Sequence, residues 1–414
     1  MTSKLFLKST LLFFSLLIVS CSSRKFANTP NTTKNSSKDS VINYQKGRII
    51  CGAENEENYL ARLTAKKVGI VTNQTGILIL DNDTQLSIVD YLLRKKIDVQ
   101  KIYAPEHGFR GTADAGELIV DGKDTFTNLP IISLYGNNKK PKPEQLEGID
   151  ILIFDLQDVG ARFYTYISSL HYVMEACAEN NIPLLVLDRP NPNGTIIDGP
   201  ILEKEHKSFV GMHEIPVLHC MTIGEYAKMI NGEKWLKDGI QCELTIVPCL
   251  NYSRDRTYNL PVKPSPNLPN EQSINLYASL CFFEGTNVSL GRGTEKQFQI
   301  YGSPFLPESE FDFSFTPQPN FGAKDPVHNG KLCYGEDLTE INKVHRLELK
   351  WLIKAYENTS DKAVFFNDFF TKLAGTKKLR EQIEAGMTEK EIRKTWQEGL
   401  ERFKEVRKKY LIYE

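Results

Sequence analysis

The sequence predicts an α/β protein in two parts: a doubly wound, mostly parallel sheet domain over residues 45–250 and a smaller α+β domain over 251–414. Three observations predict it. Between Lys67 and Val247, short apolar runs alternate with stretches of helical periodicity, the rhythm of a parallel sheet covered on both faces. Polar clusters follow several of those runs, and in open α/β sheets ligands bind at the carboxyl ends of the strands. Beyond Asn251 the texture changes, with Pro261, Pro264, Pro266 and Pro269 crowding one loop-rich stretch before further helical segments. A chain of 414 residues suits two domains of roughly 100–200 residues each.

Taken in order, Val68 to Thr72 reads as a strand followed by Asn73-Gln74-Thr75-Gly76. Thr84 to Lys96 carries Leu86, Val89, Leu92 and Leu93 at helical spacing. Val99 to Tyr103 is a strand that Pro105 stops, and Gly108 and Gly111 permit a tight loop after it. Ile131 to Leu134 and Asp150 to Asp155 are further strands, the latter running into Leu156-Gln157-Asp158-Val159-Gly160. Phe163 to Asn180 reads as a helix, and Pro183 to Leu187 as a strand ending in Asp188-Arg189-Pro190-Asn191-Pro192. Thr222, with Glu225 three residues on, is a capping-box start for a helix to Ile230, and Cys242 to Val247 is the last strand of the first domain. In the second, Phe311 to Phe315 alternates like a strand, and Leu347 to Glu357, Ala363 to Lys372 and Glu389 to Tyr410 read as helices.

The amino terminus has its own logic. Lys4 and Lys8 precede the apolar run Leu11 to Val19, too short for an ordinary membrane span and shaped like a signal peptide, residues 1–20. Leu17-Ile18-Val19-Ser20-Cys21 looks like a bacterial lipobox, which would make Cys21 the lipidated first residue of the mature protein. Residues 21–44, rich in Ser, Asn, Thr and Lys, then form a flexible tether. No acidic run follows Cys21, so the expected location is the cell envelope, with a membrane-anchored lipoprotein facing the periplasm. Lys and Arg number 51 against 52 Asp and Glu, which offers no electrostatic case for nucleic acid or for an acidic membrane surface beyond the lipid itself. Seven cysteines follow Cys21 without a CxxC pair or zinc-ligand spacing; Cys242 and Cys249 lie near enough in sequence for a disulfide, but spacing alone does not favour one.

Four polar clusters sit just after predicted strands: Asn73-Gln74, Glu106-His107 with Arg110, Asp155 and Asp158 with Arg162, and Asp188-Arg189 with Asn191. Each alone reads as a turn or cap; together they point to one polar cleft at a sheet rim. Glu106 lies beside Tyr103 and Phe109, neighbours that favour a protonated, proton-donating carboxyl, whereas an ion pair with Arg110 would favour the carboxylate; the residues leave both open. A carboxylic acid near other carboxylates is the equipment of glycoside cleavage. His107 reads equally as a site residue or a packing residue. Arg110, Arg162 and Arg292 suit bidentate recognition of an anionic substrate. Phe163, Tyr164 and Tyr166 offer faces for a sugar ring, at a helical spacing that sends at least one of them into the core. GxSxG, HExxH and Walker patterns are absent, and no GxGxxG follows the first strand, so neither a serine hydrolase, a zinc site nor a nucleotide cofactor is expected.

Pro105-Glu106-His107-Gly108-Phe109-Arg110-Gly111, the run Phe154 to Tyr166, Leu187-Asp188-Arg189-Pro190-Asn191-Pro192, Pro264-Ser265-Pro266-Asn267-Leu268-Pro269, and Phe283-Glu284-Gly285-Thr286-Asn287 with Gly291-Arg292-Gly293-Thr294 occur in this order. Together they closely resemble the exo-β-N-acetylmuramidase family NamZ, from about residue 45 to the carboxyl terminus. The resemblance implies a Rossmann-like first domain, a smaller second domain and an active site in the cleft between them. It implies release of non-reducing-end N-acetylmuramic acid from peptidoglycan fragments, and it makes Glu106 the catalytic acid. Asp158, then Asp155, Glu284 and Glu295, are candidates for a second, orienting carboxylate; alternatively the substrate's own 2-acetamido group serves. Asn73, Gln74, His107, Arg110, Arg162, Tyr164, Asn191, Glu284 and Arg292 are the expected substrate contacts, with an arginine selecting the lactyl carboxylate. The competing reading is a non-catalytic lipoprotein that binds peptidoglycan fragments.

Overall fold

The structure, a computed structural model, describes residues 47–81, 83–110 and 121–414. The expected signal peptide, Cys21 and the tether lie outside the described residues, as does Gly111. Among the described residues, no helix is long and apolar enough to cross a membrane.

The first domain is built on β1 (Lys67–Thr72), β2 (Asp98–Ala104), β3 (Gly122–Lys123), β4 (Pro130–Ser133), β5 (Ile151–Asp155), β6 (Leu184–Leu187) and β7 (Leu244–Val247). They join in the order β7-β6-β5-β1-β2-β4-β3, parallel except for the edge strand β3. The middle strands are mostly apolar because both faces are covered; Lys67, Gln100 and Lys101 are polar exceptions, as are Thr72 and Asp155 at the carboxyl ends. Alternate residues go to opposite sides: Val68, Ile70, Ile151 and Ile153 pack with Ile88, Val89, Tyr91 and Leu92 of α1 (Ile88–Arg94). Val71, Leu152 and Phe154 face the other side, where α2 (Tyr166–Glu179) and α3 (Ile223–Gly232) lie. That second core runs on without a break into the carboxyl-terminal part, through α4 (Glu271–Leu280), Phe282, Phe283 and α5 (Lys350–Asn358). The smaller domain adds an antiparallel sheet of β8 (Ile300–Ser303), β9 (Phe313–Phe315) and β10 (Cys333–Asp337), with β10 central.

Four expectations change. The helix expected from Thr84 starts at Ile88, because Gln85–Ser87 pairs antiparallel with Ile77–Ile79 and the Ser87 hydroxyl caps the helix by accepting from Val89 N–H. The helix expected from Phe163 starts at Tyr166, which leaves Phe163, Tyr164 and Thr165 to line a cavity. The terminal helix expected over 389–410 is two helices, Glu389–Lys394 and Gln397–Lys408. Between them the Thr395 hydroxyl bonds back to Ile392 C=O and Trp396 turns into the core. The helix expected over Ala363 to Lys372 is a single 3-10 turn, Lys362–Val364, followed by a separate helix, Phe369–Ala374. Cys242 and Cys249, whose spacing alone does not favour a bond, stand at opposite ends of the extended strand β7, and both thiols are free. The capping box on Thr222 is present as expected, with Glu225 accepting from Thr222 N–H at 3.0 Å.

Candidate active site

Strand β2 ends at Ala104, and Pro105 cannot continue its ladder. The chain then reverses sharply. His107 and Gly108 both hold positive φ, 72° and 75°, and Gly108 N–H closes the turn on Pro105 C=O at 3.0 Å. A left-handed non-glycine residue stores strain and is a frequent sign of a functional turn. Here it displays the Glu106 side chain off the strand end.

Two hydroxyls hold that carboxylate. Thr165, the residue before α2, donates to Glu106 Oε2 at 2.8 Å. Tyr135, just beyond β4, also hydrogen-bonds Glu106; burial, and then the nearby Glu106 charge, push the Tyr135 hydroxyl well above its ordinary pKa, so it remains a donor. A hydrogen bond to a charged group contributes about 1.5–3 kcal/mol. Thr165→Val is therefore expected to lower kcat roughly 10-fold with little change in KM, and Thr165→Ser to restore it. Steady-state kinetics on the two variants check this.

Glu106 opens into a cavity of about 740 Å³ at the junction of the two domains. His107, Tyr135, Tyr164, Thr165 and Phe209 line its sheet-domain side. The opposite wall comes from the second domain and carries Glu284, Ser289, Arg292, Lys324 and Asp325. Gly291 and Gly293, at φ 77° and 79°, flank Arg292 in a tight loop that presents its guanidinium. Arg292 Nη2 bonds Glu284 Oε1 at 2.6 Å, and the guanidinium lies over the Phe298 ring. Glu284 keeps that arginine cationic, and among the described residues this is its one side-chain hydrogen bond, so the fork retains donors.

Five of the expected site residues thus share one cavity: Glu106, His107, Tyr164, Glu284 and Arg292. The others are placed elsewhere by their partners. Arg110 is committed to Asp124, with Nε at 3.1 Å and Nη2 at 2.6 Å, and stacks on Phe109 and Phe126. The alternative of a Glu106–Arg110 ion pair gives way to this arrangement. Arg162 is wholly buried and donates to four backbone carbonyls, Pro200, Ile215, Leu373 and Ala374. Asn73 bonds Tyr166 and the Thr75 hydroxyl, and Gln74 reaches Lys263 and Pro264 C=O. Asn191 bonds Met221 C=O and packs its amide on Gly160, where any Cβ would collide. Asp155 is locked in a buried pair with Arg189 at 2.6 Å, and Glu295 is exposed outside the cavity. The strand-end clusters do assemble on one rim, but three of the four brace its loops and only the Glu106 cluster faces the cavity.

Asp158 lies behind the cavity wall, 7% exposed. Its Oδ1 accepts from Gly160 N–H at 2.6 Å, while Oδ2 is buried without a hydrogen-bond partner. Burial pushes its pKa up to about 7 against the restraining Gly160 and Val159 N–H groups. A raised carboxyl pKa contributes stability that is present below the unfolded value, near 3.8, and lost as pH rises through about 7. Asp158→Asn removes that dependence. The stability of this variant relative to the parent, and with it the relative Tm, is expected to climb between pH 5 and pH 8, by about 2–3 kcal/mol. Thermal melts across that range check it; a large loss of kcat at unchanged Tm would instead restore Asp158 to the chemistry.

The comparisons with known proteins bear on this site. The amino-terminal model of the exo-β-N-acetylmuramidase NamZ matches residues 68–272, and the carboxyl-terminal model matches residues 275–413. The chain belongs to the NamZ family. It is 40% identical over 378 residues to the peptidoglycan β-N-acetylmuramidase NamZ of Bacillus subtilis, covering 86% of this chain and 89% of that protein. Two crystal structures of DUF1343 family proteins from Bacteroides fragilis share the fold. One is 43% identical with a TM-score of 0.80, the other 29% identical with a TM-score of 0.76; each match covers 89% of this chain and 99% of the other. The mostly parallel sheet with a smaller antiparallel domain is thus a fold that this chain shares with those two structures.

Sequence reasoning missed Thr165, Tyr135, Phe209, Lys324 and Asp325. Tyr135 was findable, since it too follows a strand. Thr165 was hidden inside an expected helix, and nothing local marks Phe209 or the 322–327 segment as cavity lining. Among the described residues, one group brings three potential metal-ligand atoms together, Glu203, Glu205 and His206. It lies outside the cavity, and Glu203 is paired with Lys378 at 2.6 Å.

Proposed function

We propose that this glycoside hydrolase releases N-acetylmuramic acid from the non-reducing ends of peptidoglycan fragments, with Glu106 as general acid and then general base. The carrying observation is Glu106, held by Thr165 and Tyr135, facing a cavity whose far wall bears the Glu284–Arg292 pair. At about 740 Å³ the cavity is within the roughly 300–1,000 Å³ usual for small-molecule sites. Tyr164 and Phe209 offer apolar faces to pyranose rings, and the Arg292 fork suits the lactyl carboxylate that distinguishes muramic acid from glucosamine.

Glu106 protonates the glycosidic oxygen as the bond to the anomeric carbon breaks. The carbonyl oxygen of the substrate's 2-acetamido group bonds to that carbon, forming a cyclic oxazolinium. Glu106, now a carboxylate, takes a proton from water, whose oxygen opens the ring and completes hydrolysis. This substrate-assisted route is favoured because Asp155, Asp158 and Glu295 lie off the cavity, and the two carboxylates besides Glu106 that line it, Glu284 and Asp325, belong to the second-domain wall, with Glu284 held by Arg292.

Incubation with a muramic acid–glucosamine disaccharide is expected to yield both monosaccharides by mass. The disaccharide in the opposite order should survive. An intact but tightly bound substrate would establish the non-catalytic alternative. The sequence of residues 1–44 supports an exported protein lipidated at Cys21 and facing the periplasm, where such fragments arise. Cys21→Ser should release it from the membrane fraction.

A further inference from the structure

We propose that Cys51 and Cys249 form a disulfide that staples the leading edge of the folded chain to the segment after β7. Ile50 and Leu250 form an isolated antiparallel bridge and exchange both backbone hydrogen bonds, at 3.0 and 2.8 Å. Next to such a pair, the following residue of one strand and the preceding residue of the other stand directly opposite, with Cα atoms about 4.5 Å apart and side chains on one face. Those residues are Cys51 and Cys249. A disulfide takes Cα separations of about 4.4–6.8 Å, so the register brings the thiols together without moving either segment.

The surroundings agree. Both cysteines are buried, and both thiols are free in this structure. Cys51 Sγ is 3.2 Å from the Tyr258 hydroxyl, and Cys249 Sγ donates to Asp188 C=O at 3.3 Å. The neighbouring Cys249 thiol, helped by the Arg189 cation, lowers the Cys51 pKa below the usual thiol value, while burial raises that of Cys249. Cys51 is thus the better initial nucleophile. Residues on both sides anchor the ends of the chain: Ile49 and Cys249 pack with Tyr252 and Tyr413, and the Tyr413 hydroxyl accepts from Cys249 N–H at 2.8 Å. A bond here would tie the segment around Cys51 to both the sheet and the carboxyl terminus.

The oxidant is a disulfide, either of an envelope thiol–disulfide oxidoreductase or a small disulfide such as oxidised glutathione. The Cys51 thiolate attacks one oxidant sulfur, forming a mixed disulfide and expelling a thiolate. Cys249, losing its proton, attacks Cys51 Sγ and expels the second. Two protein thiols are oxidised, one disulfide is reduced, and both protons end on the released thiols. In the cell this rests on the reading that the chain is exported, because such oxidants act outside the cytosol.

The test uses the reduced protein, incubated with oxidised glutathione, alkylated and digested without reduction. A linked peptide joining Cys51 and Cys249, lighter by two hydrogens than the separate thiols, is expected. So is a Tm about 5 °C above that of the reduced form, a gain absent from Cys51→Ser and Cys249→Ser. Glutathione adducts alone, unreacted Cys51 and Cys249, or a link between other cysteines overturns the proposal. The same digest is run on protein recovered from its native envelope. If the link forms with glutathione but is missing there, the site stands and the export reading fails.

Discussion

Glu106→Gln is expected to lower muramic acid release by roughly 10²–10⁴-fold, the range contributed by a positioned general acid. The glutamine amide has the carboxyl's shape. Its oxygen still accepts from Thr165 or Tyr135, which hold the native carboxylate, so the fold should hold within about 1 kcal/mol. What it lacks is a proton for the departing glycosidic oxygen. Substrate binding should persist, because Arg292 and the aromatic walls are untouched, leaving KM near the parent value. Kinetics on a chromogenic muramide, with a thermal melt of the same preparation, check this. Full activity in the variant would remove Glu106 from the chemistry and with it the proposed mechanism.

The second large effect concerns stability. Arg162 is fully buried, and its guanidinium gathers carbonyls from two widely separated parts of the chain. Nη1 donates to Pro200 at 2.8 Å and Ile215 at 2.7 Å, and Nη2 to Leu373 at 2.9 Å and Ala374 at 2.7 Å. Arg162→Met fills similar volume but strands three buried carbonyls, those of Pro200, Leu373 and Ala374, while Ile215 C=O keeps its bond from Leu202 N–H. Each orphaned group costs about 1–3 kcal/mol, and a total near 5 kcal/mol would consume much of a typical 5–15 kcal/mol stability. Arg162→Lys should recover little, since an ammonium has three donors and no planar fork. The expected result is a sharply lowered Tm or insoluble protein, with near-normal KM in whatever folds. A raised KM at unchanged Tm would return Arg162 to substrate recognition.

These two residues show where sequence reasoning is strong. Both sit in a polar cluster after a strand, and both carry chemistry-bearing groups beside aromatic residues. In the fold one faces a cavity and the other holds the walls together. The difference arises from Pro200, Ile215, Leu373 and Ala374, which lie 38 to 212 residues from Arg162 in the chain. Arg110 teaches the same lesson through Asp124, and Asn191 through Gly160 and Met221. The helix expected to begin at Phe163 concealed Thr165, because a local apolar period does not say where backbone pairing ends.

By itself the sequence determined the alternation that makes a parallel sheet, the order of the two domains and the proline-stopped strand that puts Glu106 at a sheet rim. These follow from local periods and turn chemistry, which are written within a few residues. Only the tertiary structure decided which polar groups meet across the cavity, which spend their hydrogen bonds inside the protein, and that Cys51 stands opposite Cys249. Such outcomes depend on partners far apart in the chain, and a buried polar group goes wherever its hydrogen bonds can be completed.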